Sequence, residues 1–148
     1  MRHLVIVRHG DYGPDRRISH SGRAQMLALA QHLKQLVNSG SVVILSSTAP
    51  RAADSAAILG EALRVEVELH DILWSDNSHP EDISGAFELV RSCSSRADVV
   101  VLVTHLEYTR DLSRHFAEKE WGVSLPLSEI KKGQARVLDC VERASRII

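Results

Sequence analysis

Short apolar runs without polar interruption constrain this chain most: Leu4-Val5-Ile6-Val7, Val42 to Leu45, and Val99-Val100-Val101-Leu102-Val103. Runs of four or five β-branched and leucine residues are too short for helices and too uniformly apolar for strands with one wet face. They predict strands buried on both sides, as in a parallel sheet covered by helices. Between them the apolar spacing changes to that of a helix. Ala24, Leu27, Ala30, Leu33, Leu36 and Val37 recur at helical intervals and predict a helix over about 22–37, with Ser21 as its cap. Pro50 suits the first turn of a second helix, to about residue 63. Pro80 opens a third, carrying Ile83, Ala86, Phe87 and Val90, and a fourth spans about 108–118. Val65 to Leu69 alternates as a half-exposed edge strand would, and a last strand is expected over 135–141. With no repeat or low-complexity linker, residues 1–148 read as one doubly wound, mostly parallel α/β domain.

Polar residues with chemical potential follow these runs directly. The first run leads into Arg8-His9-Gly10, the second into Ser46-Ser47-Thr48-Ala49-Pro50-Arg51, and the third into Thr104-His105. Ligands of an open α/β sheet sit at the carboxyl ends of its strands. Arg51 also falls at a helix start, where free backbone N–H groups and a guanidinium together favour an oxyanion such as phosphate. A net charge of −1 gives no long-range attraction for nucleic acid or an anionic membrane. No apolar run approaches the roughly 20 residues that span a bilayer, and no signal-peptide pattern opens the sequence. Cys93 and Cys140 stand far apart and form no CxxC pair, which suits reduced thiols and a cytoplasmic setting. The eight histidines show no metal-binding spacing, so no metal or cofactor is expected.

The three strand-end motifs, in this order and over nearly the whole chain, resemble those of the histidine phosphatases of the phosphoglycerate mutase-like superfamily. The resemblance implies a three-layer α/β/α fold. It also implies that His9 attacks phosphorus and carries the phosphoryl group, while Arg8, Arg51 and His105 bind its oxygens, without a metal. Gly10 and Thr104 join the site by their places in the motifs. Arg16, in Arg16-Arg17-Ile18-Ser19-His20-Ser21-Gly22, resembles a further phosphate-binding arginine of the family, with Arg17 as the competing choice.

Many relatives also have a carboxylic acid that protonates the leaving oxygen. Asp71, Asp76, Glu81 and Asp82 are the candidates in the corresponding region, and Asp76, in the loop beside Trp74, is preferred. Leu106-Glu107 after His105 departs from the Gly or Asn-Pro of many relatives. The chain has no room for long substrate-covering insertions and is similar in size to SixA-type phosphohistidine phosphatases. The expected substrate is therefore a phosphorylated protein side chain. A small phosphorylated metabolite is the alternative, and a noncatalytic phosphate-binding module a more remote one.

Overall fold

The computed structural model describes residues 1–38, 40–74 and 80–148, the side chains of Pro80 and Glu81 excepted. Six strands are described: β1 (His3–Arg8), β2 (Val42–Ser46), β3 (Val67–Leu69), β4 (Val99–Thr104), β5 (Ala135–Asp139) and β6 (Ala144–Ile147). They form one sheet in the order β3-β2-β4-β1-β5-β6. The first four strands run parallel to one another, while β5 runs antiparallel to β1 and β6 to β5. Among the described residues four α-helices cover the sheet: α1 (His20–Val37), α2 (Pro50–Leu63), α3 (Pro80–Cys93) and α4 (Leu106–Phe116).

Because successive side chains in a strand point to opposite faces, each apolar run serves two cores. Leu4, Ile6, Val100 and Leu102 pack with Phe87 and Val90 of α3 and with Leu112 and Phe116 of α4. Val5, Val7, Val101 and Val103 pack on the other face with Met26, Leu29 and Leu33 of α1 and Ala52, Ala56 and Leu59 of α2. This accounts for the uninterrupted apolarity of β1 and β4. The register pairs Arg8 with Thr104 and Ser46 with Val103, so three strands end level along one sheet edge.

Several element bounds differ from expectation. The cap of α1 is Ser19, whose hydroxyl accepts Gly22 N–H at 3.1 Å, and the helix starts at His20. Arg64 adopts φ 58° at the end of α2, and Val65 N–H bonds Gly60 carbonyl at 2.9 Å. Val65 thus belongs to the helix exit, and the edge strand shrinks to three residues. The fourth helix begins at Leu106 and passes into a π-helical turn over Ala117–Trp121. The last expected strand is a hairpin. Asp139 Oδ1 accepts the N–H groups of Val141 and Glu142 at 3.0 and 2.9 Å, turning the chain into β6. All four residues of β6 are exposed, so it lacks the apolar signature of the other strands.

Candidate active site

The polypeptide leaves β1 in contact with two other elements. His9 N–H continues the ladder to Thr104 carbonyl at 3.0 Å, and Gly10 N–H donates to Ser55 Oγ of α2 at 3.0 Å. Ser55 Oγ–H in turn donates to Arg51 carbonyl at 2.7 Å, tying the Arg51 turn to the His9 loop. Gly10 lies where a Cβ would meet Gly22 carbonyl oxygen at 2.8 Å and its Cα at 3.0 Å. Only glycine allows that approach of the loop to the first turn of α1.

His9 is buried, and its Nδ1 lies 2.9 Å from Gly10 carbonyl oxygen. A carbonyl only accepts, so Nδ1 carries the proton and Nε2 keeps its lone pair. Arg51 Nε–H points at that Nε2 from 3.3 Å. Burial, the largest influence, pushes His9 from 6.5 down to about 4. The Gly10 hydrogen bond opposes this shift, while Arg51, Arg8 and Lys132 add to it. The imidazole is thus held neutral at physiological pH, as a nucleophile requires.

His105, at the start of α4, stands with its ring centroid 5.3 Å from that of His9. Its Nε2 lies 2.9 Å from Ser47 Oγ, and its Nδ1 faces Arg51 Nη2 at 3.5 Å. Burial, then His9 and Arg51, push His105 down to about 3. Arg8 donates through Nη1 to Ile130 carbonyl at 2.9 Å, while its buried Nε has no protein partner. An unpaired buried guanidinium N–H is costly and fits a site built for an anion.

Arg8, His9, Arg51 and His105 line one pocket of about 180 Å³, whose wall is completed by Tyr12, Leu106, Glu107 and Lys132. Tyr12 holds two cations against its ring, Arg51 Cζ at 5.0 Å and Lys132 Nζ at 4.8 Å from the centroid. Lys132 is delivered by the segment before β5, where Gly133 N–H meets the carbonyls of both Arg8 and His9 at 3.1 Å. Gly133 takes φ 80°, a conformation that suits glycine.

Other expected residues stand elsewhere. Arg16 is exposed at φ 62° and does not line the pocket. Arg17 is bound through Nε and Nη2 to Asp54 at 2.8 and 2.6 Å, so it too lies outside the pocket lining. A one-residue step in this loop exchanges an open charge for a surface ion pair, which the spacing alone does not reveal. Thr104 is fully buried and its hydroxyl donates to Leu73 carbonyl at 2.7 Å; its side chain braces the strand end and does not line the pocket. Asp76 lies outside the described residues. Asp71 accepts the Thr48 hydroxyl at 2.8 Å and is absent from the pocket lining, as is Trp74.

Ser47, Ser55 and Lys132 were not singled out from the sequence as functional. Ser47 sits inside the second motif, the one signal that could have marked it; a serine in a helix and a lysine in a turn carry no such signal. Among the described residues no group of three or more His, Cys, Asp or Glu is placed to hold a metal ion. No helix among them is long and apolar enough to cross a membrane.

Comparison with known proteins bears on the family and the fold. Residues 4–74 match the model of the histidine phosphatase superfamily (branch 1), which supports a phosphatase. None of the curated proteins matches the sequence. Among solved structures, a mycobacterial glucosyl-3-phosphoglycerate phosphatase superposes with a TM-score of 0.71 at 21% identity, covering 99% of this chain and 96% of its own. A proposed phosphohistidine phosphatase SixA from Agrobacterium tumefaciens gives 0.63 at 19% identity over 99% and 95%. The phosphoglycerate mutase of Plasmodium falciparum gives 0.61 at 20% identity over 99% and 87%. At these identities the likeness is one of fold, and the fold is phosphoglycerate mutase-like.

Proposed function

For a chain that matches the histidine phosphatase superfamily over residues 4–74, we propose hydrolysis of a phosphorylated substrate through a phosphohistidine on His9. The observation that carries this reading is the neutral His9 Nε2 lone pair, oriented by the Gly10 carbonyl, within the same pocket as Arg8, Arg51 and His105. His9 Nε2 attacks phosphorus as the bond to the leaving group breaks. Arg8 and Arg51 donate to the nonbridging oxygens, with His105 beside them, in an arrangement preorganised for the charge of the transferring group. The N–H of Arg51 that points at Nε2 passes to a phosphoryl oxygen as the substrate enters. Water then attacks phosphorus, the P–N bond breaks, and its electron pair returns to His9.

Two substrate classes reach this phosphoenzyme. The compact domain, without long covering insertions, supports a phosphohistidine side chain presented by another protein, as in SixA-type enzymes. An imidazole leaving group departs readily once its free nitrogen is protonated. The second reading, a small phosphate monoester, is favoured by Glu107 in the pocket wall, because an alkoxide leaving group needs a proton. Phosphohistidine protein and sugar or nucleotide phosphates, assayed side by side with rapid-quench capture of labelled enzyme and a chelator present, test both readings. His9→Ala should abolish turnover and trapped phosphoenzyme. Turnover that persists in this variant, or disappears with chelator, overturns the mechanism. Phosphate binding without turnover by the unaltered protein would indicate a noncatalytic binding module.

A further inference from the structure

We propose that Glu107 delivers the proton to the departing oxygen, and that the protein is thereby equipped for phosphate monoesters of aliphatic alcohols. This deepens the reading above and rests on it. Glu107 is half-buried in the first turn of α4, two residues after His105, and lines the pocket that contains His9 and Arg51. Its place is set by a firm support, since Ser47 holds His105 where α4 begins. Among the described residues it is the one carboxylate of that lining, whereas Asp54 and Asp71 are engaged elsewhere by Arg17 and Thr48.

A first-turn glutamate also favours the helix dipole, but that service requires no place in a pocket. Inside one, beside an incoming phosphate ester, a carboxyl group stands where a leaving oxygen can take its proton. In the first step the P–O bond breaks as the His9 Nε2–P bond forms. The electron pair goes to the leaving oxygen, which takes the Glu107 proton and departs as the alcohol. In the second step the resulting carboxylate takes a proton from the attacking water, the P–N bond breaks, and inorganic phosphate leaves.

The test is a leaving-group series, ethyl phosphate, phenyl phosphate and para-nitrophenyl phosphate, with wild type and Glu107→Gln. Glutamine should lower kcat/KM for ethyl phosphate about 10²–10⁴-fold, the loss shrinking to a few-fold for the para-nitrophenyl ester, whose phenolate leaves unaided. Rapid quench with that ester should still trap phosphoenzyme, and Glu107→Asp should recover part of the ethyl phosphate activity. A loss equal across the series, or no loss with ethyl phosphate, overturns the proposal. So does the same leaving-group dependence in Asp76→Asn or Glu81→Gln in place of Glu107→Gln. If wild type forms phosphoenzyme on His9 yet the series is flat, Glu107 alone has failed. If wild type forms phosphoenzyme from phosphohistidine protein but from no ester, the monoester proposal fails and the phosphatase reading stands; if it forms none from either, both fail.

Discussion

Ser47→Ala is the most demanding test of the site, because a single hydroxyl carries two buried contacts. Ser47 Oγ accepts Ala49 N–H at 3.1 Å and lies 2.9 Å from His105 Nε2, and the residue is fully buried. Alanine leaves both partners unpaired. Each buried group stripped in this way costs about 1–3 kcal/mol, so the variant should lose about 2–6 kcal/mol of stability in urea unfolding. The catalytic consequence follows from the tautomer of His105. Arg51 Nη2 faces Nδ1 and can only donate, so the neutral ring keeps its lone pair on Nδ1 and donates through Nε2–H to Ser47 Oγ. Without Ser47 the ring proton is no longer held on Nε2, and a proton on Nδ1 removes the acceptor that positions the Arg51 guanidinium. Losing a hydrogen bond to a charged group, about 1.5–3 kcal/mol, corresponds to about 10–10²-fold slower phosphoenzyme formation. Single-turnover quench measures the rate, and ¹⁵N NMR of His105 reads the tautomer. Unchanged phosphoenzyme formation in folded Ser47→Ala, or a wild-type ring protonated on Nδ1 in the free enzyme, refutes the reasoning.

Further outcomes follow from the same geometry. With His9 pushed down to about 4, phosphoenzyme formation should stay flat on acidification well below 6.5 and fall only as pH drops through about 4, checked by a single-turnover pH profile. The depressed value also acts on stability. Below 6.5 the unfolded chain binds a proton that folded His9 refuses, so stability is lost as pH falls from about 6.5 to about 4, on the order of 3 kcal/mol for this group in acid-titrated urea melts. Gly10→Ala should destabilise the protein by about 1–3 kcal/mol in urea unfolding, because the added Cβ meets Gly22 backbone on a packed helix. It should also slow phosphoryl transfer by displacing the carbonyl that orients His9.

Much of this architecture is written in local sequence because its rules are local. A strand buried on two faces must be apolar at every position, so Leu4 to Val7 and Val99 to Val103 declare themselves, and parallel strands place their carboxyl ends together. Arg8-His9, Arg51 and Thr104-His105 were legible for that reason. Strand β6 was not, since Ala144–Ile147 is exposed and its pairing depends on the Asp139 turn. The Arg16 and Arg17 alternatives were equally undecidable, because a carboxylate thirty-seven residues on, Asp54, holds one of them.

Local spacing was therefore enough to establish the layers, the strand-end motifs and the imidazole at the end of β1. Convergence of distant segments was needed for everything that tunes that imidazole: burial beneath three cations, the Ser47 and Ser55 tethers, Lys132 across the Tyr12 ring and Glu107 in the wall. The physical reason is range. Periodicity and capping act over a few residues, whereas desolvation and charge act across whatever the fold brings within a few ångströms, however far apart in the chain.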